Sequence, residues 1–200
     1  MPEGPTIRNT ADRLREALAG RRIERFQSSL KKAANEEWAG KITGQRVRAV
    51  RSHGKNLFVD FENDWTLYTH MLMWGAWHVY TLGEPWRKER RKARVVLETT
   101  DHCVVLFSAP VCQLIHASTL PTHPTSELGP DLMAEPFGTA ELAEIRRLVR
   151  AQDATAIGEA VMNQTVMAGI GNILKSEILF AVRIHPLCTC AAYRTTRLRN

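Results

Sequence analysis

Apolar positions recur every three or four residues at the head of the chain, and the period shortens toward two in the stretch that follows. Ile7, Ala11, Leu14 and Leu18 fall on one helical face, with Arg and Glu on the other, and Gly20 offers a residue able to end the helix. A proline is at home at the start of such a helix, because its missing N–H would have no partner there. Between residue 22 and about 118 the pattern predicts strands. RRIERFQSS, QRVRAVRSH, KNLFVDFE, WTLYTHML and GAWHVYTL are short, rich in Val, Ile, Phe, Tyr and Trp, and bounded by Gly, Asn or Asp. ARVVLETTDHCVVLFSA predicts a hairpin turning at Thr100-Asp101. Strands at this spacing predict an antiparallel sandwich or barrel.

The pattern then breaks. STLPTHPTSELGPDLMAEPFG holds four prolines and few periodic apolar residues, and it reads as a linker. TAELAEIRRLVRAQ, with Thr139 as an acceptable N-cap, ATAIGEAVMNQ and NILKSEILFAV return to helical spacing. The expected fold class is therefore α+β in two domains. Residues 1–120 form an N-terminal helix plus an antiparallel β-sandwich, 121–138 a linker, and 139–200 a helical domain.

Composition narrows the function. At 44% hydrophobic and 24% charged residues over 200 positions, the chain can bury a core and is not disordered. No apolar run approaches a membrane span and no secretory signal precedes the first helix, so cytoplasmic residence is expected. The net charge of +6 is unevenly spread. WRKERRKAR places Arg87, Lys88, Arg90, Arg91, Lys92 and Arg94 around one acid, and the tail YRTTRLRN carries Arg194, Arg197 and Arg199 with none. Such runs are usually solvated loops, yet in a basic protein they also fit a nucleic-acid partner. Cys103 and Cys112 stand alone and Cys188-x-Cys190 is not a zinc-type pair, so no metal site is expected and the four cysteines read as plain thiols.

Candidate chemistry begins at the second residue. Removal of Met1 would leave Pro2 with a free secondary amine. An α-amino group titrates near pH ~8, well below lysine, and the positive end of a helix dipole favours its neutral form further. A neutral amine can form a Schiff base with an aldehyde carbon, and Glu3 could move protons around the adduct. In NQTVMAGIGNILKSEILFAV, a tight connection holding Gly169, Gly171 and Asn172 leads into a helix near Ile173. Its N–H groups could face a phosphate, with Asn172 capping the helix, or it could be an ordinary Gly-rich turn. Lys55 follows a glycine just ahead of a strand. His70, Met71, Leu72, Met73 and Trp74 crowd the place where a strand should meet a turn. They are either core or a wedge that fills the gap left when a base leaves a DNA stack.

Taken in order, PEGP, HGKNLF, THMLMWG, LGPDL and QTVMAGIGNILKSEILF resemble the formamidopyrimidine-DNA glycosylase and endonuclease VIII family over residues 2–187, and PEGP resembles the endonuclease VIII side. The resemblance implies a bifunctional DNA glycosylase and AP lyase of base excision repair, acting on oxidised pyrimidines in damaged double-stranded DNA. It implies that Pro2 is the nucleophile, Glu3 the acid/base and Lys55 a third catalytic residue that also grips phosphate. His70, Gly171, Asn172 and Lys175 would bind DNA, and Leu72, Met73 and Trp74 would form the wedge. The helical segment would be a helix–two-turn–helix, and strand cleavage would follow by β- and then δ-elimination. The expected protein is a monomer without a dissolved cofactor or membrane partner, nucleoid-associated if bacterial. Thr6, His53 and the apolar Leu72 depart from the family's usual residues. The family continues into a zinc finger whose ligands are absent from a chain ending at Asn200, so a weakened DNA grip or a fragment is expected. The alternative function is a catalytically impaired damaged-DNA-binding protein. A tautomerase-like isomerase, which uses a proline amine as a base, is disfavoured by the basic helical half.

Overall fold

In a computed structural model that describes residues 2–192, the first helix, α1, spans Gly4–Leu18. Its periodic face, Ile7, Ala11, Leu14 and Leu18, is wholly buried. Pro5 lies in the first turn, and Gly20 takes the left-handed conformation just past the end (φ 73°). Arg194, Arg197 and Arg199 of the basic tail fall outside the described residues.

Eight strands build two antiparallel sheets of four. β1 (Arg25–Ser28), β5 (Ala76–Thr81), β6 (Ala93–Glu98) and β7 (His102–Phe107) make one, in the order β1-β6-β7-β5. β2 (Val47–His53), β3 (Asn56–Phe61), β4 (Trp65–His70) and β8 (Val111–His116) make the other, in the order β2-β3-β4-β8. The hairpin β6–β7 forms as expected, with Leu97 opposite Val104. The sequence pattern does not single out β8, which directly follows Ala109-Pro110 and alternates imperfectly. It also misses α2 (Lys31–Asn35) and α3 (Trp38–Ile42), too short to show a period. Tertiary packing makes them, because Trp38 and Ile42 are completely buried.

The core lies between the sheets and under α1, joining Ile7, Leu14 and Leu18 to Leu57, Leu67 and Leu106. Each such side chain is worth about 1.5–3 kcal/mol on burial. β3 is buried at every residue, because the linker covers its outer face. Two tight turns, 117–122 and 124–127, bring Leu120 onto Phe58, Tyr68 and Ile115, and the His123 ring stands edge-on to Tyr68 at 4.9 Å. His53 fastens the next stretch, its Nε2 2.8 Å from the Gly129 carbonyl oxygen.

In the helical half, α4 spans Thr139–Arg150, α5 Ile157–Ala160 and α6 Asn172–Ala181. Thr139 is the first helical residue and not the cap. Gly138 precedes it, and its N–H donates to the Glu141 carboxylate at 2.9 Å. The helix expected to run to Asn163 stops at Ala160. Asn163 Oδ1 accepts from both the N–H and the hydroxyl of Thr165 (3.0 and 2.9 Å), a side-chain turn that competes with further helix. Among the described residues no helix is long and apolar enough to cross a membrane.

The two halves meet backbone to backbone. Gly4 N–H donates to Gly169 O at 2.8 Å and Ala168 N–H to Pro130 O at 2.9 Å. Gly54, at φ 57°, sits so close that a β-carbon there would lie 2.8 Å from Ala168 Cβ and 2.9 Å from Gly169 N. A side chain at this point forces the halves apart as well as straining the backbone. Gly54→Ala is expected to destabilise by about 2 kcal/mol or more, a fall of at least about 4 °C in unfolding midpoint. An unchanged midpoint in a thermal melt would show that the seam has slack.

Candidate active site

Glu3 precedes α1 with an extended backbone, but its side chain does not serve that helix. It crosses the seam to α6. Gly171 N–H and Leu174 N–H donate to Oε2 at 3.2 and 3.0 Å, and Ile173 N–H donates to Oε1 at 2.9 Å. These are donors that a helix leaves unpaired in its first turn, and a carboxylate there is favoured by the helix dipole. Of the N–H groups in the Gly-rich connection that could face a phosphate, that of Gly171 is therefore already taken, and Asn172 does not cap the helix. A buried carboxylate from the far end of the chain takes it, and Asn172 is the first helical residue. Gly171 is part of this cradle, because a β-carbon there would lie 2.4 Å from Glu3 Oε1.

Burial pushes the Glu3 carboxyl up, but the three N–H groups and the Lys55 charge together outweigh it and hold the group below the ordinary glutamate value. Glu3 is thus a carboxylate at neutral pH. Pro2, half-buried, is attached directly to it. Lys55, also buried, follows the left-handed Gly54 in the turn between β2 and β3. Burial pushes its ammonium down, and the negative charge of Glu3 opposes that in part.

Lys55 lines a cavity of about 390 Å³ with Asn56, Tyr68, His70, Leu72 and Gln164. The wall is fixed by Tyr68, whose hydroxyl donates to Asn56 Oδ1 at 2.9 Å. Burial and then the Lys55 charge push His70 below the ordinary imidazole value, so the ring is neutral at pH 7. Its Nδ1 accepts from Leu72 N–H at 3.2 Å, which leaves Nε2–H as the donor. Gln164, absent from the sequence-derived set, clasps the turn ahead of α6. Its amide donates to Met162 O and Ile170 O (2.7 and 3.0 Å) and its carbonyl accepts from Gly169 N–H (3.2 Å). Its place at the head of the QTVMAGIGNILKSEILF motif was the signal that could have found it.

The crowded turn divides between core and surface. Met71 is core, whereas Leu72, Met73 and Trp74 are 39%, 59% and 76% exposed, with Leu72 in the left-handed region (φ 44°). Three consecutive large apolar side chains held out of a folded surface mark a contact site. Asn172 is exposed, its Oδ1 accepting from Lys175 Nζ at 2.6 Å, which turns the amide NH₂ into the end available to a ligand. Lys175 is not brought to the Lys55 cavity. It lines two grooves beside α6 with Pro186.

A metal finds no cage: among the described residues no group of three or more His, Cys, Asp or Glu is placed to hold one. Cys188 is exposed while Cys190 is buried against Ile157 and Leu179. Burial pushes the Cys112 thiol up to about 12.

Comparison with known proteins follows the same division. The chain matches the family models of the formamidopyrimidine-DNA glycosylase N-terminal domain over residues 1–110 and of its H2TH domain over 128–199. It is 32% identical to endonuclease 8 of Pectobacterium carotovorum subsp. carotovorum (strain PC1) across 100% of its own length and 75% of that protein. It is 34% identical to endonuclease 8 of Escherichia coli O1:K1 / APEC, over 91% and 68% of the two chains. The Lactococcus lactis formamidopyrimidine DNA glycosylase bound to DNA containing an AP site superposes with a TM-score of 0.77 at 22% identity, over 94% of this chain and 72% of that one. The same enzyme with DNA containing an oxidised pyrimidine gives 0.78 at 22%, over 95% and 71%.

Because the folded pKa of Glu3 is depressed, its contribution to stability is complete above the ordinary glutamate value and is lost as pH falls through the folded one. Glu3→Gln is expected to lower stability at pH 7 by about 1–2 kcal/mol, with the gap from the unsubstituted protein narrowing below about pH 4. Denaturant melts across that range check it; a gap that stays constant with pH would rule out the charged cap.

Proposed function

The chain belongs to the formamidopyrimidine-DNA glycosylase family, and from that membership we propose that it excises oxidised pyrimidines from duplex DNA and cuts the strand through a Schiff base on Pro2. It is a DNA glycosylase of base excision repair with AP lyase activity. The observation that supports Pro2 as the nucleophile is the grip of α6 on Glu3, which draws the N-terminal residue to the seam between the halves.

The chemistry follows from the protonation states. The Pro2 nitrogen bonds to C1′ of the damaged nucleotide as the C1′–base bond breaks, and the electron pair leaves with the base. The nitrogen must then lose its proton. Glu3, held as a carboxylate by its three backbone donors, accepts that proton and passes it to the sugar ring oxygen, whose bond to C1′ opens. The result is an iminium ion, stabilised by the same carboxylate. Loss of a C2′ proton expels the 3′ phosphate, a second elimination expels the 5′ phosphate, and water releases Pro2. Lys55 and the Nε2–H of His70 hold the flanking phosphates, with the Asn172 amide. Leu72, Met73 and Trp74 fill the space the nucleotide vacates. The protein acts as a monomer, in cytoplasm or nucleoid, and needs no dissolved cofactor. The pyrimidine preference rests on the PEGP start and on relatives called endonuclease 8.

Borohydride trapping on duplexes holding an oxidised pyrimidine or an abasic site tests this. A covalent band is expected on both, reduced at least about 100-fold by Pro2→Gly, in line with loss of a nucleophile. Gly171→Ala, which leaves Pro2 and Glu3 in place but displaces the carboxylate, should weaken the band about tenfold or more. DNA binding with no band on either duplex would make the protein a damaged-DNA binder without catalysis.

A further inference from the structure

The turn between β4 and β5 stands between two clefts. Leu72 lines the Lys55–His70 cavity on one side. On the other, Trp74 lines a cleft of about 610 Å³ with Arg87, Lys88, Glu89, Lys92 and Ser108. The basic segment forming that wall is not slack. Arg87 N–H donates to the Tyr80 hydroxyl at 3.1 Å, Ser108 N–H donates to Lys92 O at 2.9 Å, and the Trp86 ring stands edge-on to Phe107 at 5.8 Å. Arg90 lies over Trp86, 4.8 Å from the ring centre.

Its charge is far from balanced. Glu89 engages Arg91 and Lys92 at 2.5 and 2.6 Å and Glu84 reaches Arg87 only at 3.8 Å, against six cations between residues 87 and 94. The excess field is felt beneath: burial first, and then Lys88, Arg87 and Arg13, push His78 below the ordinary imidazole value.

We propose that this cleft is a second DNA-binding site, in which Arg87, Lys88 and Lys92 hold phosphates of the strand opposite the lesion. The inference rests on the damaged-duplex function argued above. A wedge inserted into a duplex has one strand on each side. The cavity with Lys55 takes the damaged strand, so the cleft behind Trp74 faces its complement. Guanidinium and ammonium groups match phosphate oxygens.

The test compares an abasic duplex with the same abasic strand alone, using protein carrying Arg87→Ala, Lys88→Ala and Lys92→Ala together, after a thermal melt confirms folding. Duplex binding is expected to weaken about tenfold or more at physiological salt. The slope of log K against log salt should become shallower by about 2–3, near 0.9 for each phosphate released. The duplex-to-single-strand ratio should fall about tenfold. A ratio that does not change, whether both affinities drop or neither does, overturns the site. Borohydride trapping on the abasic duplex is run alongside. Its failure in the unsubstituted protein would count against the Schiff-base chemistry, while the binding ratio would still report on the cleft.

Discussion

A single carboxylate joins the two ends of the molecule. The first turn of α6 presents donors that no residue of its own helix can satisfy, and Glu3 supplies both oxygens to them across 170 positions of chain. That bond set fixes where α6 begins, carries Pro2 to the seam, and keeps Glu3 ionised in a buried place. Structure and chemistry are therefore hard to separate here. The same three N–H groups that cap a helix also keep the carboxylate charged next to Pro2.

The seam around that contact is made of backbone. A side chain at Gly54 would collide with Ala168 and Gly169, a β-carbon on Gly4 would lie only 3.1 Å from Gly169 Cα, and Gly171 leaves the space in which the Glu3 carboxylate sits. Such contacts bury little apolar area and so add little hydrophobic stabilisation. What they add is precision: three segments from distant parts of the chain are held with few degrees of freedom, as a reacting constellation requires. The apolar sandwich beneath, with α1 inserted along its edge, supplies the stability that lets the seam be so sparse.

The surface shows the opposite economy. Met71 anchors the β4–β5 turn in the core, and the next three residues project outward at the expense of exposed apolar area. The basic segment beside them is fastened by Tyr80, Trp86 and Phe107 although its charges repel one another. Both features cost stability in isolation and make sense on a surface shaped for a polyanion whose stacked interior can be opened.

Much of this was legible in the chain itself. The period of apolar residues located α1, seven of the eight strands and the switch from sheet to helix, because burial of one face imposes its spacing on the sequence. The ordered motifs from PEGP to QTVMAGIGNILKSEILF identified the family and named Pro2, Glu3, Lys55, His70 and the protruding turn. Other features belonged to tertiary structure alone. The sequence placed the Gly171 N–H group toward a phosphate and made Asn172 a cap, since nothing local reveals that a carboxylate from residue 3 has already taken those donors. β8 likewise owes its place to pairing with β4, far back along the chain. The cleft behind Trp74 exists only once β5, β7 and the basic segment are folded against one another. Patterning determines which residues go inside; which distant groups then meet depends on packing, and only the folded chain decides it.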